Sequence, residues 1–505
     1  MYIQNKSDSK ATNLSKIGRV ILIDSNNKMV LNHLLNLENG SAYSDFLIPS
    51  DIKTGTYKLI GYTRWMENYG NLGVYESDIY ILNPFNTKID FKKSSNQIQN
   101  QTFHKNRQLH SGIELKLSKD QFAPRTKGVL TINGIEAESL NRVSVSIRQK
   151  DNSTLNVSKN VNSIRDNNSK INFSFKNSPE YRGRTFSGRI LDSSGNRANE
   201  RYKIFYSVPG RTDQFRVFQS EEDGSFNFQI ASPIDYSEIF LTAASRNLNN
   251  PMITLDTLKY NFEGVERGQL DFSALNPKTL RDKAIHIQIE NYFKEVKKDS
   301  ILPVKPRPIF YGNNPIIYNL DDYTRFETMD ETFTEIIQFV SFRSKRKSPR
   351  LVIQDYSAQN TLEGIPLVLL DGQPINAHEK IFNLDPETVS EIRIVRDKYF
   401  YGPSFYQGVV DIRSKGTPEV VFPLQNSYKV QPAELQKLYF HPNYETSENS
   451  NVPDFRYQLL WIPELENSKI EFYTSDITGN FDIRLEGFDE NGKFFSVSKS
   501  FEVVE

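Results

Sequence analysis

The sequence predicts a mostly β chain, with tandem β-sandwich domains interrupted by one small α+β domain. Three observations predict it. The chain carries 34 Phe and 25 Tyr against 5 Met and 2 Trp, and such rings favour half-buried pleated surfaces. Short alternating apolar runs, each closed by Gly, Asn, Asp or Pro, recur every 8–12 residues or so, the spacing of a sandwich. One block, residues 320–417, breaks that rhythm with a helix–strand–strand–helix–strand–strand order. At 505 residues the chain exceeds what one core holds, so several domains are expected.

The first segment, 1–90, reads as a sandwich. GRVILID (18–24) meets the turn at 25–28, TGTYKLIGYTRW (54–65) places Tyr57, Leu59 and Tyr62 near alternating positions, and GVYESDIYIL (73–82) ends at Asn83–Pro84. Residues 91–110 are polar and aperiodic, as in a linker. A second sandwich is expected over 111–178, with the Ser/Asn-rich tract 151–170 as an exposed loop or edge hairpin. A third spans 179–265. Asp24, Asp192, Asp223 and Asp489 each sit at a strand end before a turn. Asx turns account for them, and no stretch carries the spacing of a calcium-binding loop.

Within 266–319, residues 277–297 predict a helix with Leu280, Ala284, Ile287 and Val296 on one stripe and Ile285, Ile289 and Phe293 beside it. In the α+β block, Thr328 and Glu331 have capping-box spacing, and Phe333, Ile336, Ile337 and Val340 follow at helical intervals. PLVLLDGQPI (366–375) reads as a buried strand meeting a tight turn at Asp371–Gly372. Asp385 and Pro386 open a short helical turn that runs into the strand SEIRIVR. Residues 418–505 return to β as a last sandwich.

Composition excludes several classes of chemistry. Lys plus Arg and Asp plus Glu are each 62, a formal net charge of zero, so no overall field draws nucleic acid or anionic lipid. There is no cysteine, hence no disulfide, thiolate metal site, cysteine nucleophile or thioester. The six His residues include no two spaced three or four apart, so no metal site is expected. No apolar run is long enough for a membrane-spanning helix, and the polar N-terminus lacks a signal-peptide core.

No P-loop, G-x-S-x-G, H-E-x-x-H or G-x-G-x-x-G motif occurs, so no catalytic or cofactor-binding residue is nominated and the chain is expected not to be an enzyme. The basic run RSKRK (343–347) follows the predicted helix and reads as its solvated C-terminal end, with phosphate binding as the sharper alternative. KYFYGPSFY (398–406) invites carbohydrate stacking, and its Gly–Pro centre also fits a packed loop. Candidate binding residues are therefore Tyr399, Tyr401 and Tyr406, with the turn Asp371, Gly372 and Pro374.

Residues 320–416 resemble the plug domain of TonB-dependent outer-membrane receptors in the variety typical of Bacteroidota. The resemblance rests on PLVLLDGQPI, LDPETVSEIRIVRD (384–397) and YGPSFYQGVVDIRSKG (401–416), in register after DDYTRFETMDETFTEII (321–337). It places Asp371, Gly372 and Pro374 at the plug's tight turn, Pro386 and Glu391 on the approach to its strand, and Gly402, Gly408 and Ile412 at its closing strand. TGTYKLIGYTRWMENYG (54–70) resembles the second macroglobulin-like (MG2) domain of the α2-macroglobulin superfamily. FAPRTKGVLTI (122–132) resembles the opening of the next such domain, and 180–265 a carboxypeptidase-regulatory-like or macroglobulin-like sandwich.

Two departures limit what the resemblances imply. Without cysteine there is no thioester trap. The 89 residues after Gly416 (505 − 416) cannot form a receptor barrel of about 22 strands. The family's leader and first domain are missing, so the chain is expected to be truncated and to belong to the cell envelope. The resemblances imply a non-enzymatic scaffold associated with the outer membrane, on its periplasmic or surface face, whose plug-like domain engages a β-barrel or other envelope protein. They leave open a ligand-binding module for a glycan or siderophore-like nutrient.

Overall fold

The computed structural model describes every residue except 6–9, 86–111, 151–172, 193, 198, 209–213, 232–235, 245–250, 257–275, 305–307, 313, 345–347, 355–363, 416–426, 447–450 and 490. The expected linker 91–110 and the tract 151–170 lie outside the described residues. The fold is mostly β, with several chiefly antiparallel sheets and one α+β domain. The chain divides into two compact units. The first is Met1–Tyr181, Asn261–Pro303 and Ala433–Glu505, and the second is Arg182–Tyr260 and Val304–Pro432.

The first unit begins with a four-stranded antiparallel sheet in the order Met29–Asn36, Ile17–Ile23, Gly55–Tyr62, Tyr75–Ile81. The described residues of 1–90 form this one sheet rather than the expected sandwich. Leu22, Ile52, Tyr57 and Ile81 make one cluster, and Leu35, Leu37 and Ala42 another, with Met1, Ile3 and Val20 packed against it. Lys58, almost fully buried, pairs across the sheet with Asp78 at 2.7 Å.

The rest of this unit corrects the expected boundaries. One sheet runs Gln458–Ile462, Val143–Gln149, Gly479–Phe488, Phe494–Val503, Gln121–Phe122. The facing sheet runs Lys469–Tyr473, Lys127–Asn133, Glu114–Leu117. The segments read as two sandwiches, 111–178 and 418–505, are halves of one. Val145 and Ile147 share a core with Ile483, Leu485, Phe481 and Phe501. Each half supplies strands to both sheets, and Val143–Gln149 finds both of its strand neighbours, Gln458–Ile462 and Gly479–Phe488, in the other half, which is why neither half closes alone.

Helix α1, Pro277–Tyr292, starts at the Asn276 N-cap, whose side chain accepts from the Lys278 amide. Its packed face is narrower than the sequence predicts. Ala284 is buried and the His286 ring stacks on Phe455 at 4.3 Å, but Ile285, Ile287, Tyr292 and, beyond the helix, Val296 are exposed.

The second unit opens with a sandwich. Gln214–Gln219, Lys203–Val208, Glu238–Ala244 and Ser427–Lys429 form one sheet, and Ser225–Ala231, Gly183–Leu191 and Met252–Leu255 the other. Ser427–Lys429 completes the third expected sandwich from far beyond residue 265. Tyr206 and Phe218 stack on Phe228 in its core, with centroids 4.9 and 5.0 Å apart.

The α+β domain carries a five-stranded sheet in the order Ile316–Asn319, Val389–Val395, Val409–Ser414, Leu367–Leu370, Gln373–Pro374. Helices α2 (Met329–Glu335) and α3 (Glu379–Phe382) and the hairpin Val340–Arg343/Arg350–Ile353 share one core with it. The Thr328–Glu331 capping box forms, and the Asp385 side chain caps the Glu387 amide at 2.9 Å. Helix α2 nevertheless ends at Glu335, where periodicity extends it to Val340. Phe339 takes φ +69° under the Arg396 guanidinium, which stands 3.7 Å from its ring centre, and Val340 opens a strand. Arg343 therefore lies on a hairpin strand and Ser344, at φ +55°, begins the turn, not a helix end. Residues 345–347 of that basic run lie outside the described residues.

Candidate functional site

The sequence-nominated residues all fall in the second unit. Leu367–Leu370 reaches a two-residue turn in which Asp371 (φ +49°) and Gly372 (φ +79°) both adopt positive φ, as a type I′ hairpin requires. The Asp371 carboxylate accepts from the Ser414 amide at 2.9 Å and the Ser414 hydroxyl at 2.7 Å, while its own amide donates to the Ile412 carbonyl. The Gly372 carbonyl accepts from the Ser207 hydroxyl. Pro374 pairs with Leu369 on the outermost strand of the sheet, where a missing N–H costs no ladder bond. These contacts make the turn a clamp between adjacent strands.

Tyr399, Tyr401 and Tyr406 sit on a hairpin, Tyr399–Tyr401 paired with Ser404–Tyr406. Gly402 occupies its tip at φ +56°, where an added Cβ would lie 2.4 Å from the Val217 carbonyl oxygen. Residues 399, 401, 404 and 406 share one face. The tyrosines pack against Phe205, Phe215, Val217, Leu367, Leu369 and Val409. The Tyr401 hydroxyl donates to the Phe215 carbonyl at 2.6 Å, and the Tyr399 hydroxyl to the Phe310 carbonyl. Burial pushes the Tyr399 phenol up to about 12 and raises Tyr401 and Tyr406 as well. An exposed tyrosine surface, which the ligand-binding reading needs, is not what the fold presents.

The opposite face of that hairpin carries Phe400, 75 % exposed, and Phe405, 44 % exposed, with ring centroids 4.8 Å apart. Sequence reasoning passed over both. Their signal was present: a Gly–Pro pair within nine residues marks a tight hairpin, and alternation then puts 400 and 405 back to back with the tyrosines.

Beside the tyrosine face, Asp411 is fully buried. It accepts from the Tyr311 hydroxyl at 2.6 Å and from Arg413 at 2.7 Å. Arg393 pairs with Glu391 one strand over. Burial raises the Tyr311 phenol, and the Asp411 charge raises it further. With its charges matched and its hydroxyl engaged, this group ties the sheet together and holds no reactive residue in an open cleft.

In the first unit, Asp454 accepts from Arg456 at 2.7 Å through each carboxylate oxygen and from the Tyr444 hydroxyl, and Lys297 joins Glu290 at 2.7 Å. Burial acts to raise the Asp454 carboxyl, but Arg456, Tyr444 and Lys297 outweigh it and hold it below the usual carboxylate range. The neighbouring crevice, lined by Val296, Lys297, Phe440, Pro442, Tyr444, Val452 and Asp454, has an accessible volume of about 10 Å3, room for a water molecule and far less than a ligand pocket. Among the described residues no group of three His, Asp or Glu is placed to hold a metal. Asp24, Asp192, Asp223 and Asp489 all close Asx turns, each accepting a backbone amide two residues on.

No family model matches the chain, and no curated protein matches it. Among solved structures, it is similar to Escherichia coli α2-macroglobulin activated by porcine elastase, at 9 % identity and TM-score 0.21, over 100 % of this chain and 42 % of that one. It is also similar to Salmonella α2-macroglobulin reacted with methylamine, at 8 % identity and TM-score 0.21, over 100 % and 38 %. A tetra-tandem repeat from the extending region of a large adhesion protein aligns at 8 % identity and TM-score 0.11, over 98 % and 93 %. The chain spans about two fifths of the α2-macroglobulin chains it matches.

Proposed function

We propose that the chain is a non-enzymatic docking scaffold of the bacterial envelope, associated with the outer membrane. Its α+β domain resembles a TonB-receptor plug of the Bacteroidota type, and in this reading it engages a β-barrel transporter or a comparable envelope protein. The sandwiches serve as spacers.

The observation that carries the reading is the Phe400–Phe405 pair. Two aromatic rings stand side by side in solvent on a hairpin whose other face is anchored by three tyrosines and two hydroxyl–carbonyl bonds. Rigid exposed aromatics of this kind act as interface anchors, because little conformational freedom is lost when they are covered. The glycan or siderophore alternative loses support, since the tyrosines it would use face the core.

The test places a photo-crosslinking phenylalanine analogue at position 400 in the host cell. A crosslink to an outer-membrane β-barrel protein in the membrane fraction, lost when the analogue is moved to buried position 392, is the expected result. Recovery of the uncrosslinked protein from cytosol alone would refute the proposal.

A further inference from the structure

A second aromatic group lies wholly within the first unit and belongs to none of the sites above. Tyr43, Tyr439 and Trp461 come from three distant parts of the chain and are all half-buried. The Tyr439 and Trp461 ring centroids are 4.7 Å apart. Tyr43 stands 6.4 Å from Trp461 at an interplanar angle of 84°, and 6.5 Å from Tyr439 at 51°. Two perpendicular rings that each held a cation about 4.5 Å from their centres would have centroids about 6.4 Å apart, within the range of cation–π attraction.

The surrounding charge has one sign in excess. Glu464, Glu38 and Glu466 act on Tyr43, and Asp45 and Asp299 act on Tyr439. Against these five carboxylates stands the Lys437 ammonium, held by Asp45 at 2.8 Å. Cation–π pairs of the described residues form at Tyr444, Phe186, Tyr457 and Phe339, not at these three rings.

From this geometry we infer that Tyr43, Tyr439 and Trp461, flanked by Glu38, Glu464 and Glu466, bind the guanidinium or alkylammonium side chain of a basic segment on a partner protein. Ring faces supply the quadrupole that draws a weakly hydrated cation, and the carboxylates steer it inward. A chain of zero net charge offers no general attraction for such a segment, so the preference must be local.

The sequence makes the test direct, since it contains only two tryptophans. Trp65→Phe leaves Trp461 as the sole indole in the full chain. Its emission is titrated with a short Arg-containing peptide and with tetramethylammonium chloride, each at ionic strength matched by sodium chloride. A saturable change with either cation is expected. Glu38→Gln with Glu466→Gln, both exposed and so compatible with folding, should weaken it about tenfold at low salt. No saturable change beyond the sodium chloride control overturns the inference. So does an equal response to a neutral oligosaccharide or an acidic peptide, or unchanged affinity in the double Glu→Gln protein.

Discussion

Tyr401→Ala tests the assignment of the two faces of the 399–406 hairpin. Tyr401 contributes a half-buried ring packed on Phe215 and Phe310, with centroids 6.0 and 5.1 Å away, and a hydroxyl bonded to the Phe215 carbonyl. Removing a fully buried aromatic ring costs about 3–5 kcal/mol. Scaled for partial burial, the expected loss is about 2–3 kcal/mol. Tyr401→Phe removes only the hydroxyl and should cost about 1 kcal/mol. Phe400→Ser, one residue away but in solvent, should stay within about 0.5 kcal/mol. Tryptophan emission is blind to this region, because Trp65 and Trp461 both lie in the first unit. The assay is therefore native-state hydrogen exchange of the full chain, read by mass spectrometry over peptides covering 203–219 and 389–414. Each 1.4 kcal/mol appears as a tenfold faster opening. If Phe400→Ser accelerates exchange more than Tyr401→Ala does, the face assignment is wrong and the docking proposal falls with it.

Two further outcomes follow from buried ionisable groups. His378 is buried with its Nδ1 accepting from the Leu351 amide at 3.1 Å. Burial, then Arg350, lowers its folded pKa. Protonation is easier in the unfolded chain, near about 6.5, so the second unit should keep this stability above that pH and lose it as pH falls below it. Exchange of peptides covering 350–353 measured from pH 7 to 5 checks the slope after correction for intrinsic rates, and His378→Gln should flatten it. In the first unit, Asp454→Asn leaves buried Arg456 without its countercharge and should cost about 3–5 kcal/mol. A urea transition followed by Trp461 emission measures this, and a loss under 1 kcal/mol would refute the electrostatic role.

Local chemistry was the legible part of this chain. Asp24, Asp192, Asp223 and Asp489 could be read as turn formers, and Thr328–Glu331 and Asp385–Pro386 as helix starts, because each partner lies within four residues. The Asp371–Gly372 turn was legible for the same reason. What failed needed knowledge of distant neighbours. Nothing near Val143–Gln149 announces that its partners are Gln458–Ile462 and Gly479–Phe488. The periodic run to Val340 looks helical until Arg396 is known to cover Phe339. On α1, which isoleucines face inward depends on where Phe455 and Tyr457 arrive. The aromatic trio left no trace at all, since residues 43, 439 and 461 share no local pattern.

The divided sandwich carries a consequence for synthesis. Val143–Gln149 emerges from the ribosome 309 residues (458 − 149) ahead of the strand Gln458–Ile462 that flanks it. At about 5–20 residues per second the wait is about 15–60 s. Throughout it, both edges of Val143–Gln149 lack a neighbour, while the second unit finishes translation in between. A nascent chain in that state is a natural client for a holdase. A stop codon between residues 433 and 458 would strand the early half permanently, yet leave the sequence of the second unit complete.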